Sequence, residues 1–258
     1  MIVLTYHKIV SSSAFEKQVQ YLNNKDYFGS RNKKRLLITA DDGDPSFYHN
    51  AFPVLKKYDL PAILFVVTDL INSQKPFWWD EIAYYLEAET ANKKIWEVKS
   101  WPNKKRELFL EELRTLSAKP ELTYEQLTTS QLKEMQAGGI IIANHSHTHP
   151  MFDKCTAEEL DREMGISTEI LKDLGFSHEI FAYPNGNYSE QSERAIKKYG
   201  IKQAFLFDHK INSGEINPLR ISRLVVNDST PLWKFKLILS GWHSKILPLT
   251  KALGKLRR

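Results

Sequence analysis

The sequence predicts an α/β protein, a distorted, TIM-like (β/α) barrel expected to have seven strands, six of which stand out as apolar runs. Three observations predict it. Short apolar runs alternate with longer amphipathic stretches, the pattern of parallel strands joined by crossover helices. Those runs are apolar at successive positions rather than at alternate ones, so both faces of the sheet are expected to be covered. A doubly wound sheet would satisfy these two observations equally well. The third favours the barrel: Tyr6-His7, Asp41-Asp42, His145 to His149 and Pro184 to Gly186 each follow a strand run directly. Barrels of this class gather their chemistry at the C-terminal rim of the strands.

Ile2 to Thr5 reads as the first strand. Ser13-Ala14-Phe15-Glu16 has the form of a capping box and opens a helix that runs to Asn24. Leu36 to Thr39 is the second strand. Asp44-Pro45 then starts a helix that ends near Tyr58 and is distorted at Pro53. Ala62 to Val67 is a third strand, almost wholly apolar. Residues 70–130 are rich in aromatic and charged residues, as in Phe77-Trp78-Trp79-Asp80-Glu81. They read as a mainly helical insertion within a single domain spanning residues 1–258, and Trp78 to Asp80 fall in a long loop after the strand. Ser130 to Gln136 forms a helix stopped by Gly138-Gly139, and Ile140 to Ala143 is the next strand. Thr156-Ala157-Glu158-Glu159 opens a helix that ends at Gly175. Ile180 to Ala182 is a strand, Ser189 to Tyr199 a helix closed by Gly200, and Gln203 to Phe207 a strand. Leu232 to Ser240 and the basic tail from Lys245 to Arg258 read as the last helices.

Composition narrows the function classes. The formal charge is +5, from 36 basic and 31 acidic residues, a mild excess spread through helical segments rather than interleaved with aromatics. A nucleic-acid partner is therefore not expected. The single cysteine, Cys155, allows no intrachain disulfide and gives oxidative secretion no support. Beside the histidine cluster it is either a soft metal ligand or, as we prefer, a small loop residue. The N-terminal Ile2-Val3-Leu4 run is too short for a signal-peptide core, and no run approaches the roughly 18 apolar residues of a membrane span. A cytoplasmic location is the expectation. In the tail, Lys245, Lys251, Lys255, Arg257 and Arg258 lie among Ile246, Leu247, Leu249 and Leu253. Such a segment either packs on the barrel or makes peripheral contact with an anionic membrane surface.

The strand-end residues are those of a metal-dependent hydrolase. Asp41 and Asp42 are adjacent, and side chains that follow one another in extended chain point apart. One carboxylate is then available to a cation and the other to a different part of the site. Taken alone, Asp-Asp-Gly is equally the composition of a solvated turn. His145 and His149 are spaced so that a loop or one helical turn aims both imidazoles at one ion, while His147 would point away from an extended segment. Two histidines and one aspartate leave coordination positions open for water and substrate, as catalysis requires. Ser146 and Thr148 are expected to bond loop backbone.

Thr39-Ala40-Asp41-Asp42-Gly43, then His145-Ser146-x-Thr148-His149, then Phe181-Ala182-Tyr183-Pro184-Asn185-Gly186 resemble, in order and spacing, three motifs of the polysaccharide deacetylase (NodB-homology) family, carbohydrate esterase family four. Pro53-x-Leu55-x-x-Tyr58-x-x-Pro61-Ala62 and Trp78-Trp79-Asp80-Glu81 fit less specifically, and together the pieces span residues 2–226. The resemblance implies that Asp42, His145 and His149 hold one divalent metal ion, most often Zn2+, with Co2+, Ni2+ or Mn2+ as alternatives. It implies that Asp41 is the general base toward the attacking water. The backbone N–H of Asn185 would help to stabilise the tetrahedral oxyanion.

The chain departs from the family pattern in two places. The third motif usually begins with an arginine that orients the base; here that position is Ala182. Arg223, in preference to Arg220, is expected to replace it. The family's last motif usually supplies a histidine acid near the C-terminus, where this chain has Asp208-His209 in reversed order. Val3-Leu4-Thr5-Tyr6-His7 instead resembles the branch in which that motif moves to the N-terminus, the poly-N-acetylglucosamine deacetylases. His7 is thus preferred over His209 as the acid. Tyr183, Pro184, Trp78, Trp79 and Asp80 are the expected saccharide contacts. The implied activity is removal of an N-acetyl group from an amino sugar in a glycan or a glycan precursor. A deformylase or amidase acting on another amide is the rival within enzymes. A catalytically silent saccharide-binding domain is the rival outside them, against which the intact Asp41 speaks.

Overall fold

The computed structural model describes residues 1–28 and 36–243. Seven strands pair in parallel throughout: β1 (Ile2–Tyr6), β2 (Leu36–Ala40), β3 (Ala62–Val66), β4 (Ile140–Asn144), β5 (Ile180–Ala182), β6 (Gln203–Phe205) and β7 (Leu224–Val225). Their order in the sheet is β6-β5-β4-β3-β2-β1-β7. The sheet curls until one segment reaches both edges. Ile221 bridges to Phe205 of β6, and a few residues on Leu224 and Val225 pair with Leu4 and Thr5 of β1. This is the distorted barrel expected from the strand-end pattern.

Alternation along the strands sorts residues into an inner and an outer layer. Val3, Ile63, Phe65, Ala143, Ala182, Phe205 and Ile221 form one buried cluster drawn from strands around the barrel. Ile2, Leu4, Ile38, Leu64 and Ile142 belong to a second cluster, shared with Phe15, Val19, Leu55 and Leu132 of the surrounding helices. β1 and β3 are buried at every position, and Ile141 of β4 is the exposed exception in the apolar runs. Burying one such aliphatic side chain contributes roughly 1.5–3 kcal/mol, so the two layers account for much of the driving force.

The helices are α1 (Ser12–Asn24), α2 (Phe52–Lys57), α3 (Trp78–Tyr85), α4 (Ala88–Val98), α5 (Asn103–Leu116), α6 (Thr129–Ala137), α7 (Ala157–Asp173), α8 (Glu190–Lys198) and α9 (Leu232–Leu239). Thr156 and Ser189 cap α7 and α8 as expected, each with a complete capping box. α1 is capped two residues earlier than the Ser13 reading, by Ser11, whose hydroxyl accepts from the Ala14 N–H. The helix expected from Asp44 onward is delayed. Asp44 accepts from the Ser46 N–H, a wide π-type turn follows at Phe47–Ala51, and regular helix begins only at Phe52 with Pro53 in its first turn. Proline there has no N–H to offer an upstream carbonyl, and a widened turn is the usual accommodation.

Residues between β3 and β4 hold α3, α4 and α5. Their core of Trp78, Ile82, Ala91, Val98 and Leu110 includes Met151 from the loop after β4. That shared cluster supports, as a proposal, one domain carrying a helical insertion. Trp78 and Trp79 are not in a loop: they open α3, with Phe77 as the residue before it. No helix among the described residues is long and apolar enough to cross a membrane. The basic tail Lys245 to Arg258 lies outside the described residues.

Candidate active site

β2 ends at Ala40, and the next two residues diverge. Asp41 continues inward, and Asp42 turns away in the left-handed region at φ 72°. Gly43 follows at φ 75°, where a Cβ would come within 3.1 Å of the Val66 side chain, so both conformation and space call for glycine. Asp42 is thereby separated from Asp41 and brought over the end of β4. Its Oδ1 lies 3.4 Å from His145 Nε2 and 3.4 Å from His149 Nε2.

The histidine loop is over-determined by its own bonds. The Ser146 N–H donates to Asn144 Oδ1, and the His149 N–H donates to Ser146 Oγ. Glu163, buried on α7, accepts from the His147 N–H, the Thr148 N–H and the Thr148 hydroxyl. Arg106, buried on α5, donates to the His149 carbonyl at 2.8 Å. Ser146 and His149 both have positive φ, 71° and 56°. Left-handed non-glycine residues cost on the order of 1–3 kcal/mol each, and these bonds hold them there. Thr148 thus bonds a side chain, not the loop backbone expected of it. His147 is turned aside, its Nδ1 3.0 Å from the Thr68 hydroxyl.

Asp42, His145 and His149 are all buried, and one ligand atom of each lies within 4.8 Å of the others. Two observations fit a divalent cation. Asp42 Oδ1 is buried with no hydrogen-bond partner among the described residues while facing two imidazole nitrogens. His145 Nδ1 lies 2.9 Å from the Ala182 carbonyl, which assigns its proton to Nδ1 and leaves the Nε2 lone pair for a ligand bond. Burial pushes the His149 imidazole down to about 3, the neutral form that ligation needs, whereas against its own burial the Asp42 and Asp41 carboxylates raise His145, a proton that a bound cation would have to displace. Burial alone would raise the Asp42 carboxyl, yet the neighbouring imidazoles of His145, His7 and His149 hold it below the usual carboxylate range. Cys155 is not part of this set; its thiol bonds the Met151 carbonyl and is pushed up by burial.

Asp41 is held by Arg223 in a bidentate pair, Nη1 to Oδ1 at 2.6 Å and Nη2 to Oδ2 at 2.7 Å. Arg223 is fully buried. Its Nε donates to the Leu206 carbonyl, and its guanidinium lies over the Phe65 ring of the inner cluster. Burial would raise the Asp41 carboxyl, but Arg223, His145 and His7 together hold it low. Arg220 is elsewhere, paired with Glu193. His7, at the end of β1, places Nε2 3.9 Å from Asp41 Oδ2 and is edge-on to Phe207. His209 is away from this group: its Nε2 is 2.9 Å from His243 Nδ1, and its Nδ1 accepts from the Val225 N–H.

His7, Asp41, Asp42 and His149 floor a cleft of about 350 Å³. Phe77, Trp79 and Asp80 form one side, and Trp79 is edge-on to His149 at 5.0 Å. Lys8 and Asp44 come from the ends of β1 and β2. Ile95 of α4, Lys99, Asn185 and Phe207 complete the lining. Asn185 has φ 56°, and Gly186 packs so closely on the Phe207 backbone that a Cβ would lie 2.3 Å from its nitrogen. Lys99 Nζ donates to Asn185 Oδ1 at 2.9 Å, and burial lowers its pKa against the pull of Asp42.

Three expected saccharide contacts are placed differently. Tyr183 is fully buried against Phe152 and Phe181, Pro184 is buried beside it, and Trp78 is buried in the insertion core; none lines the cleft. Their apolar bodies complete packing clusters. A second cavity of about 410 Å³ lies behind Trp79, under the insertion, and shares Phe77, Trp79 and His149 with the cleft. Sequence reasoning missed Glu163, Arg106 and Lys99. The first two carried a signal, since each is a charged residue on the buried stripe of its helix, beside Leu160 and Met164 in α7 and beside Leu110 in α5.

A family model described as polysaccharide deacetylase matches residues 28–204. A poly-β-1,6-N-acetyl-D-glucosamine N-deacetylase of Staphylococcus aureus is 24% identical over 246 residues, covering 90% of this chain and 71% of that protein. Its counterpart from Staphylococcus epidermidis is 23% identical over 256 residues, covering 90% and 72%. Among solved structures, a Streptococcus pyogenes deacetylase in complex with acetate superposes with a TM-score of 0.65 at 20% identity, covering 92% of this chain and 97% of that one. IcaB from Ammonifex degensii gives 0.62 at 20% identity, covering 92% and 95%. These superpositions establish the barrel fold. The matched span takes in Asp41, Asp42, His145, His149 and Asn185 and makes up most of the sequence, so the chain belongs to the polysaccharide deacetylase family.

Proposed function

We propose that this chain is a metal-dependent N-deacetylase that removes the N-acetyl group from an amino-sugar unit in a glycan or glycan precursor. The observation that carries the reading is Asp41, locked by Arg223 and set beside the Asp42, His145 and His149 donor set, of which Asp42 and His149 open with Asp41 onto one cleft. A pure binding domain has no use for a second buried carboxylate at that point. The curated relatives named as poly-β-1,6-N-acetyl-D-glucosamine N-deacetylases make linked N-acetylglucosamine units the substrate class of choice.

Asp42, His145 and His149 would hold the cation, with Zn2+ suited to one carboxylate and two imidazoles. A divalent cation there supplies Lewis acidity, which lowers the pKa of water and polarises an amide carbonyl. Asp41 accepts the proton of the attacking water on the carboxylate that Arg223 keeps ionised and fixed. The Asn185 N–H serves as an oxyanion donor, in a backbone conformation fixed by the turn before Gly186. His7 gives a proton to the departing amine, because an amide nitrogen leaves poorly as an anion. Its Nε2, on the same rim and 3.9 Å from Asp41, is close enough for one site to serve both proton transfers. Trp79 and Phe77 offer ring surface to the sugar.

The test is acetate release from β-1,6- and β-1,4-linked N-acetylglucosamine oligomers, with elemental analysis of the purified protein. We expect bound divalent metal, and release that a chelator abolishes and added Zn2+ restores. Saccharide binding by metal-loaded protein without acetate release would leave the silent binding domain. Faster cleavage of a formyl amide than of any N-acetyl sugar would leave the deformylase.

A further inference from the structure

The insertion sends one cation into the cleft. Lys99 follows the last turn of α4, and its Nζ reaches Asn185 Oδ1 at 2.9 Å. It also lies 4.8 Å from the ring centroid of Trp96, a residue 71% exposed. Lys57, Lys75, Lys94, Lys197, Lys198 and Lys202 each pair with a carboxylate. Lys99 forms no ion pair among the described residues; its partners are a neutral amide oxygen and an aromatic face. No carboxylate is paired with it at the wall it occupies; the Asp42 carboxylate on the floor acts on it only from beyond ion-pair distance.

Elsewhere in the lining Asp80 lies within electrostatic reach of Asp44 and Lys8, a group with one carboxylate in excess. Asn185 follows β5, whereas Asp44 follows β2, and these strands are separated by β4 and β3 in the curled sheet. The cleft is thus polarised, with a fixed ammonium beside Asn185.

A chain of amino-sugar units presents this wall with two kinds of neighbour. An N-acetylated unit is neutral. A unit that has lost its acetyl group carries an ammonium at neutral pH. We propose that Lys99 is a specificity residue that selects against substrates whose unit on the Asn185 side has already been deacetylated; this rests on the deacetylase reading above. Two unit charges about 8 Å apart at a partly solvated surface repel enough to change relative rates by roughly 2- to 30-fold. The cleft would then act preferentially where the flanking unit is still acetylated, and its products would carry free amines in a non-random pattern.

The experiment compares kcat/KM for fully acetylated oligomers with that for partly deacetylated oligomers of equal length, using wild type, Lys99→Gln and Lys99→Arg. Because the readout is a ratio, a uniform loss of activity from disturbing Asn185 cancels. We expect the wild-type preference for the fully acetylated oligomer to shrink at least about twofold in Lys99→Gln and to persist in Lys99→Arg. It should also fall as salt rises from low to physiological strength and above. A ratio unchanged in Lys99→Gln overturns the proposal. If Lys99→Gln is inactive, a wild-type ratio indifferent to ionic strength overturns it instead. Wild type that releases acetate from none of the oligomers refutes the deacetylase reading itself, a distinct result.

Discussion

Removing the guanidinium of Arg223 while keeping its apolar stem, as Arg223→Met does, isolates the main electrostatic device of the site. Arg223 donates to both Asp41 oxygens, to the Leu206 carbonyl at 2.7 Å and to the Thr39 hydroxyl at 3.3 Å. Asp41 is 2% exposed, so the substitution leaves a buried carboxylate without its counter-ion. Breaking a buried pair from one side costs about 3–5 kcal/mol. For a chain of this size that corresponds to a fall in Tm of roughly 6–20 °C. The sign of the pH dependence follows from linkage. In the wild type the folded-state pKa of Asp41 is depressed, so its contribution is present above the unfolded value and is lost as pH falls through the folded one. In Arg223→Met, burial acts with much less opposition and the folded-state pKa rises above the unfolded value. The carboxylate then penalises folding at neutral pH, and the penalty fades as acid protonates it. Urea unfolding at pH 7 and at pH 5 should show the gap between wild type and variant narrowing at the lower pH. Arg223→Met combined with Asp41→Asn should recover a good part of the loss, because no buried charge remains. A destabilisation below about 1 kcal/mol, or a double variant no more stable than the single one, would refute the reasoning. The same geometry makes Asp41→Asn alone costly, since it strands the guanidinium.

Elemental analysis should find metal lost from His145→Ala, His149→Ala and Asp42→Ala but retained in His147→Ala, whose ring is bonded to Thr68. Arg106→Met and Glu163→Gln should each lower metal affinity about 10- to 100-fold in a chelator competition while leaving the far-ultraviolet circular dichroism unchanged, because both hold the His145–His149 loop by hydrogen bonds; wild-type affinity in both would mean that the loop holds its shape unaided. His7→Ala should lose most of its rate on an N-acetyl amide and much less on an O-acetyl ester, whose alkoxide leaves without help, and His209→Ala should do little to either. Amide cleavage abolished by His209→Ala and spared by His7→Ala would restore a C-terminal acid.

What the sequence showed and what it hid divide along a physical line. Local chemistry was legible: Thr156 and Ser189 cap helices, apolar runs become strands, and Asp42, His145 and His149 converge because each sits just past a strand end. Long-range packing was not. β7 is two residues long and exists through its pairing with β1, and the Leu224-Val225-Val226 run that holds it is too short to stand out as a strand. Trp78 and Tyr183 have the composition of sugar platforms, yet their rings fill apolar clusters and Trp79 alone of the two tryptophans reaches the cleft. Whether an aromatic faces a core or a groove depends on what the chain packs against it, and pattern does not carry that. Glu163 and Arg106 show the converse case. A charge on a buried helical stripe is a local anomaly visible in sequence, but its purpose appears only once the loop it bonds is in place.

Barrel closure explains how residues from the two ends of the chain come together at Asp41. A rim position is defined by angle around the barrel, not by place along the chain. β1 lies between β2 and β7, so a histidine ending β1 and an arginine preceding β7 both face the carboxylate that follows β2. That is why residues 7 and 223, at opposite ends of the sequence, meet at Asp41. An arginine at position 182 would enter from β5, across the barrel; here Ala182 is a buried member of the inner cluster, and the Arg223 guanidinium lies over that cluster's Phe65 and Phe205 rings. The Ala182 carbonyl still serves the site, through His145 Nδ1. On this view the motif arginine and Arg223 are alternative ways to fill one buried position. The chain should therefore accept Ala182→Arg only when Arg223 is shortened at the same time, since two buried guanidinium groups cannot share one carboxylate.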